Sequence, residues 1–169
     1  MKLSMYVFFL LFVTYGFNQT ADDLYNSGYE KIELEDYSGA IADFSLFLSK
    51  YPDDLDVLKV YNHRAYCKQQ MKDNFGAISD CDLVLKKDSK NITALINRSY
   101  SRYSLGDYNN AIADCNLILK LDPSETIGYI NRGLCKIMLK QKTSGCSDFS
   151  KAGELGNSHA YKLIGRYCQ

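Results

Sequence analysis

Several features common in proteins are scarce in this sequence. It contains no tryptophan and only two prolines, and with eleven glycines this composition argues against long loops and linkers. Twenty basic and twenty acidic residues give a formal net charge of zero, so nothing indicates a nucleic-acid partner or an anionic membrane surface. The length of 169 residues and the hydrophobic content of 46% predict one ordinary globular domain.

Motifs for catalysis and for metal binding are also missing. The sequence has no GxSxG, no Gly-rich phosphate loop, no HExxH and no CxxC. His63 and His159 lie far apart and have no cysteine or serine partner at a defined spacing. We therefore predict a protein that is not an enzyme and that needs neither a metal ion nor a cofactor.

The N-terminus carries a short apolar segment. Lys2 precedes a run to Val13 that is apolar apart from Ser4, and small or polar residues follow. This pattern predicts a secretory signal peptide over residues 1–20, with cleavage after Gly16 or Thr20. The run is shorter than the roughly 20 residues of a membrane span. We expect a periplasmic or secreted protein, with membrane tethering by an uncleaved signal anchor as the alternative.

Charge is distributed unevenly along the chain. Residues 21–56 hold ten acidic and two basic residues, whereas residues 57–169 hold seventeen basic and ten acidic ones. One interpretation is a chance difference between solvated faces. The other is that the basic part binds an acidic ligand, or the acidic end of a neighbouring molecule.

A repeat is visible in four aligned segments. They are Ala40–Phe44, Ala77–Cys81, Ala111–Cys115 and Gly145–Phe149, which begin 37, 34 and 34 residues apart. A matching segment precedes each of them: Leu24–Gly28, Tyr61–Ala65, Leu95–Ser99 and Tyr129–Gly133. Every unit thus has a small residue within a first helix and another at the start of a second helix. Small side chains at both places let the two helices cross closely.

A period of 34 with this pattern resembles the tetratricopeptide repeat family over residues 21–157. The resemblance implies an all-α, right-handed α-solenoid of about four helix-turn-helix units, at 21–54, 58–91, 92–125 and 126–157. A three-residue insertion around Leu55–Val57 lengthens the first unit, and residues 158–169 are expected to form a capping helix. The ending from Cys146 to Cys168 also resembles the close of exported bacterial repeat proteins.

The repeat register restricts how the six cysteines can pair. Cys81 and Cys115 hold the same core position in adjacent units, about 10 Å apart, which is too far for a disulfide. Cys146 and Cys168 are the best pair, joining the capping helix to the last unit. Cys67 and Cys135 are expected to be free and partly buried.

In this repeat family the first helices line a concave groove. The resemblance places Tyr29, Tyr66 and Tyr100 at one position in three successive units, as a tyrosine ladder that contacts a ligand or packs between helices. The last unit is apolar there, so it forms a pocket or is covered by the capping helix. The predicted groove residues are Tyr25, Tyr29, Asn62, Tyr66, Ile96, Tyr100, Tyr103, Ile130 and Leu134.

A recurring arginine suggests a structural ion pair. Arg64, Arg98 and Arg132 follow at the repeat period, and we expect them to bind the recurring aspartates Asp43, Asp80 and Asp114 within a unit or between units.

One subfamily clamps the acidic tails of heat-shock chaperones with lysine, asparagine and arginine at fixed groove positions. The sequence does not match that clamp at the corresponding positions, which are Tyr25, Tyr29, His63, Thr93 and Asn97. A chaperone tail is therefore not an expected ligand.

The resemblance implies a non-enzymatic scaffold of the cell envelope that binds a peptide or helix of another protein in its groove. Two alternatives stay open at this point. The protein is a self-assembling structural module, or it carries a small apolar ligand on the face from Ile127 to Met138.

Overall fold

The computed structural model describes residues 19–169, and the predicted signal peptide lies outside them apart from its last two residues. This part of the chain contains nine α-helices and no strand. The helices are α1 Ala21–Glu33, α2 Tyr37–Lys50, α3 Val57–Gln70, α4 Asn74–Lys87, α5 Ile92–Ser104, α6 Tyr108–Leu121, α7 Thr126–Met138, α8 Lys142–Glu154 and α9 Ser158–Tyr167. Consecutive helices pack against each other, and the first helices of successive units also touch. The predicted all-α repeat fold is confirmed.

The turn within each helix pair, and the turn before α9, contains a residue in the left-handed region of backbone conformation. A residue in the left-handed region precedes the N-cap of α2, α4, α6, α8 and α9; these residues are Glu35, Lys72, Gly106, Lys140 and Gly156. The next N–H donates to the carbonyl five residues earlier in a Schellman motif, as from Asp73 to Lys68. The caps Asp36 and Asp73 then accept from the N–H groups of Gly39 and Gly76.

Small residues set the crossing between the helices of a pair. A β-carbon on Gly28 would lie 2.5 Å from Cε1 of Phe44, and one on Gly133 would lie 2.6 Å from Cε1 of Phe149. Both phenylalanines are fully buried and have no room to withdraw. A larger side chain at these positions would collide with the facing helix, so the crossing requires a small residue, as the sequence predicted.

The insertion in the first unit is divided between a turn and a helix. The connection from α2 to α3 runs over residues 51–56, whereas the next two connections span 88–91 and 122–125. Two of the three extra residues thus lengthen the turn, and the third lets α3 begin one residue earlier, at Val57.

Arginines join neighbouring units. Arg98 donates to both carboxylate oxygens of Asp114 in its own unit, at 2.7 and 3.0 Å, and reaches Asp82 of the preceding unit at 2.7 Å. The same three-way contact recurs as Arg64–Asp80–Ser45 and Arg132–Asp148–Asn116. Asp43 departs from the expected pairing, because Ser27 stands at the arginine position of the first unit. Ser27 and Lys31 bind Asp43 instead.

The capping helix closes the C-terminal end. Ala160 and Leu163 of α9 join Phe149, Ala152 and Ile130 in one apolar cluster. A disulfide connects Cys146 to Cys168, the pairing that the register favours.

Cys67, Cys81, Cys115 and Cys135 are free and buried. Burial raises the pKa of Cys81 and Cys115 to about 12, so these thiols stay protonated and serve as small core residues. Cys67 and Cys135 are fully enclosed, not partly exposed as predicted, and the same desolvation raises their pKa to about 11 and about 12.

Candidate binding groove

The tyrosine ladder lies on the open side of the first helices. Tyr29, Tyr66 and Tyr100 are 44%, 38% and 44% exposed, so none is sealed between neighbouring helices. Two of these rings also pack against an aromatic neighbour on one side. Tyr29 packs edge-on to His63 with ring centres 5.7 Å apart, and Tyr66 packs edge-on to Tyr37 with ring centres 6.2 Å apart. Supported rings with free faces lose little entropy on binding a ligand.

Two adjoining pockets form the centre of the groove. The larger has a volume of about 390 Å³ and is lined by Tyr66, Gln69, Gln70, Ile96, Asn97, Tyr100, Ile127 and Asn131. The second, of about 330 Å³, is lined by Lys59, Asn62, His63, Tyr66, Thr93 and Asn97. Tyr66 and Asn97 belong to both, so the pockets are continuous across α3 and α5. No charged side chain lines the larger pocket.

Buried amides line this central region. The side chain of Asn97 donates to the main-chain oxygen of Asn62 at 3.2 Å, and that of Gln69 donates to the main-chain oxygen of Asn97 and to Ser101. Asn131 donates to Ser99 at 3.0 Å. A carbonyl oxygen only accepts, so these contacts fix which end of Asn97 and Gln69 is the donor. The amide oxygens of Gln69, Asn97 and Asn131 accept no hydrogen bond from residues 19–169 and remain available to a ligand.

An aromatic cluster with a histidine closes the N-terminal side of the groove. Phe44 stacks on the His63 ring at 5.9 Å, and the Tyr25 hydroxyl lies 3.2 Å from Nε2 of His63. Burial lowers the pKa of His63, and Lys59 lowers it further. The imidazole is therefore neutral at pH 7, and Nε2 can accept from Tyr25.

Three of the predicted groove residues are less open than expected. Asn62 lines the second pocket but is largely buried, and its NH₂ group donates to the side chain of Asn91 at 3.2 Å. Ile130 is buried in the cluster beneath α9, and Leu134 packs against that cluster. These two residues belong to the cluster that Ala160 and Leu163 of α9 join, and neither lines the two central pockets.

Tyr103 is half-buried beside Tyr108, with ring centres 5.9 Å apart. Burial raises its pKa. The remaining predicted positions border the open surface: Ile96 lines the larger pocket, and Tyr25 is half-buried beside His63.

The register of the repeat also places Gln69 and Ile127 on the groove face, and both line the larger pocket, whereas sequence reasoning misses Asn131. The available signal is the dipeptide Asn97-Arg98, which recurs as Asn131-Arg132 at the repeat period.

No family model matches the sequence, and no curated protein matches it with significance. Solved structures do match. A repeat protein from Thermus thermophilus superposes with a TM-score of 0.74 at 14% identity, covering 87% of this chain and 84% of that one. MamA from Desulfovibrio magneticus superposes with a TM-score of 0.74 at 18% identity, covering 83% and 78%. The chain has the tetratricopeptide-repeat fold.

Two further tetratricopeptide-repeat structures extend this comparison. A protein from Parabacteroides merdae matches with a TM-score of 0.72 at 23% identity, and the chain spans only 55% of its length. The first repeat domain of Spaghetti (RPAP3), solved with the HSP90 peptide SRMEEVD, has a TM-score of 0.63 at 23% identity and covers 69% of this chain and 94% of that one. Identities this low establish the fold alone.

None of the helices described is long and apolar enough to cross a membrane.

Proposed function

We propose that this protein is a non-catalytic interaction module of the cell envelope that binds an extended peptide segment of another protein. The observation that carries the proposal is the continuous central groove. It combines the exposed rings of Tyr66 and Tyr100, the first of them supported by Tyr37, with amide oxygens that lack a donor. Both groups are suited to a polypeptide, which offers side chains to pack and backbone N–H groups to donate.

The tyrosines act as anchors. Tyr66 and Tyr100 border the same pocket from α3 and α5, with Ile96 and Ile127 between and beyond them. An apolar or aromatic ligand side chain that enters this pocket displaces water from all four. Buried aromatic contacts of this kind dominate the binding energy of many interfaces.

The amide oxygens determine what the ligand must supply. Gln69, Asn97 and Asn131 use their NH₂ groups within the solenoid, so these three amides offer acceptor oxygens to the groove. A segment in extended conformation provides donors along its main chain, whereas a helix uses its own internally. The groove therefore favours an extended peptide over a helix.

Charge argues against an acidic tail. The larger pocket is uncharged, and Lys59 in the second pocket is bound to Asp56 at 2.9 Å. Spaghetti shows that a domain of this fold can bind a short peptide, but its acidic ligand does not suit these linings. We expect a ligand with an uncharged, partly apolar centre.

Localisation in the envelope rests on the signal-like segment in residues 1–20. Detection of the protein in periplasmic or secreted fractions tests that part on its own.

The alternative of a small apolar ligand has less support, although Ile127 and Met138 at the ends of its face are exposed. Its motivating face runs from Ile127 to Met138, and packing beneath α9 accounts for Ile130 and Leu134.

The test is selection from a library of linear peptides, followed by affinity measurement with Tyr66→Ala/Tyr100→Ala. Phe75→Ala is the matched control, because Phe75 is an exposed aromatic outside both groove pockets. We expect the double variant to bind at least about thirtyfold more weakly, since each lost anchor costs roughly 1–2 kcal/mol. Peptides methylated at backbone nitrogens opposite the amides should lose affinity as well. Equal binding by the double variant and Phe75→Ala would contradict the proposal.

The natural partner would then be sought by capture from an envelope extract with wild-type protein beside the Tyr29→Ala/Tyr66→Ala/Tyr100→Ala variant. A partner retained only by the wild type identifies the pathway.

A further inference from the structure

The capping helix has the features of another first helix. Its N-cap Asn157 corresponds to Glu125 of α7, which aligns the buried Ala160 with the buried Gly128. In the same alignment Gly165 takes the place of Gly133, where the second helix of the last unit crosses. The crossing site on α9 is empty in the described chain: no atom lies within 4 Å of a β-carbon built on Gly165.

The open face of α9 is basic and partly apolar. Tyr161, Lys162, Gly165 and Arg166 are all exposed, Tyr161 by 61%, and they form one contiguous strip on the helix. Residues 155–169 contain no aspartate or glutamate. This strip therefore presents positive charge around a site shaped for close approach of a helix.

The opposite end of the solenoid is acidic. Asp23, Asn26, Glu30 and Glu33 of α1 are exposed and recur at helical spacing along one face. Asp23 and Glu30 stand one repeat before Val60 and Cys67, which are buried against the preceding unit. The first unit thus carries carboxylates where the interior units carry uncharged buried residues, so an apolar neighbour is disfavoured and a basic one is favoured.

We propose that copies of this chain associate head to tail, with the acidic face of α1 in one copy docked on the basic strip of α9 in the next. Charge complementarity selects this occupant: Glu30 and Glu33 meet Lys162 and Arg166, and Leu34, which is largely exposed, can cover Tyr161. The contact joins two different surfaces, so it can continue into open chains.

Sedimentation velocity of the purified protein at about 100 μM tests this, a concentration at which a contact with a Kd near 10 μM is mostly formed. We expect association at ~10 mM salt, where screening acts over about 30 Å, and dissociation at ~1 M, where it acts over about 3 Å. Glu30→Lys/Glu33→Lys and Lys162→Glu/Arg166→Glu should each weaken association at least tenfold. Lys86→Glu/Lys87→Glu is the matched control, because it makes the same change in charge as the α9 variant on α4.

Mixing the two end variants is the decisive arm. The reversed α9 of one variant is acidic and the reversed α1 of the other is basic, so the mixture should associate more strongly than either variant alone. Circular dichroism and melting temperature verify that both variants are folded. Any of three results overturns the proposal: a monomer under all conditions, association unchanged by the end variants, or no rescue in the mixture. Association that disappears only in Tyr66→Ala/Tyr100→Ala overturns it too, because the groove would then be the contact.

Discussion

The middle and the C-terminal end of this solenoid use the same register position differently. Tyr100 of α5 is 44% exposed beside an uncharged pocket, whereas Leu134, one repeat later on α7, packs against the apolar cluster below α9. The two helices present equivalent faces. The difference is that Leu134 packs against a cluster to which α9 contributes Ala160 and Leu163, whereas Tyr100 borders a pocket. The groove is therefore open in the middle of the solenoid and narrower toward the C-terminal end.

Of the changes proposed here, removal of the disulfide should reduce the stability of the C-terminal end the most. Cys146→Ser/Cys168→Ser releases α9 from α8, and the loop of 22 residues predicts a loss of about 3 kcal/mol in the free energy of unfolding. Denaturant unfolding measures the loss. Hydrogen exchange should become faster in α9 and around Ile130, as the closed end begins to resemble the open one. Unchanged exchange in α9 would mean that its apolar contacts suffice without the disulfide.

Two glycine substitutions separate a closed helix crossing from an open one. Gly133→Ala forces a β-carbon to 2.6 Å from the enclosed Phe149 ring and should cost about 1–3 kcal/mol. Gly165→Ala meets no atom and should stabilise α9 by roughly 0.5–1 kcal/mol, because alanine favours the helix. Thermal melting of both variants gives opposite shifts. A loss of stability in Gly165→Ala would indicate that this face is already covered.

The N-terminal side of the groove should respond to acid. The folded pKa of His63 lies below its ordinary 6.5, so the unfolded chain takes up this proton first. Stability from His63 is complete above about pH 6.5 and falls as the pH drops from there to the folded pKa. Unfolding across pH 5–8 measures this slope, and His63→Gln should reduce it. His159 is exposed and shares no contact with the groove, so His159→Gln is the matched control.

The smallest effect is expected at a turn. Lys72 occupies the left-handed position that Gly106 takes in the third unit. Lys72→Gly removes strain of about 1–2 kcal/mol but adds freedom of roughly 0.5–1 kcal/mol to the unfolded chain, so a net gain of a few tenths of a kcal/mol is expected. Ser38→Gly, at an exposed position inside α2, should lose stability instead. A destabilised Lys72→Gly would show that the lysine side chain makes a contact worth more than the strain.

Many contacts of the fold could be predicted from individual residues that recur at the repeat spacing. Gly28 and Gly133 indicated where helices cross, and the arginines at the repeat period indicated pairs such as Arg98–Asp114. The groove was less predictable. Asn62 has the same chemistry as Asn97, yet it turns its amide toward Asn91, because Asn91 is the N-cap of α5 and lies within reach.

The sequence by itself determined the helix pairs, their close crossings and the arginine contacts between units. These features depend on contacts between residues at a fixed repeat spacing, and that spacing is visible in the sequence itself. Only the tertiary structure decided which of the repeated positions stay open. Ile130 is buried in the cluster that α9 joins, and Leu134 packs against that cluster. The NH₂ groups of Gln69 and Asn97 are bound by the neighbouring helix, so their oxygens remain for a ligand. Burial and hydrogen-bond direction depend on what packs above a residue, and that neighbour is distant in the chain.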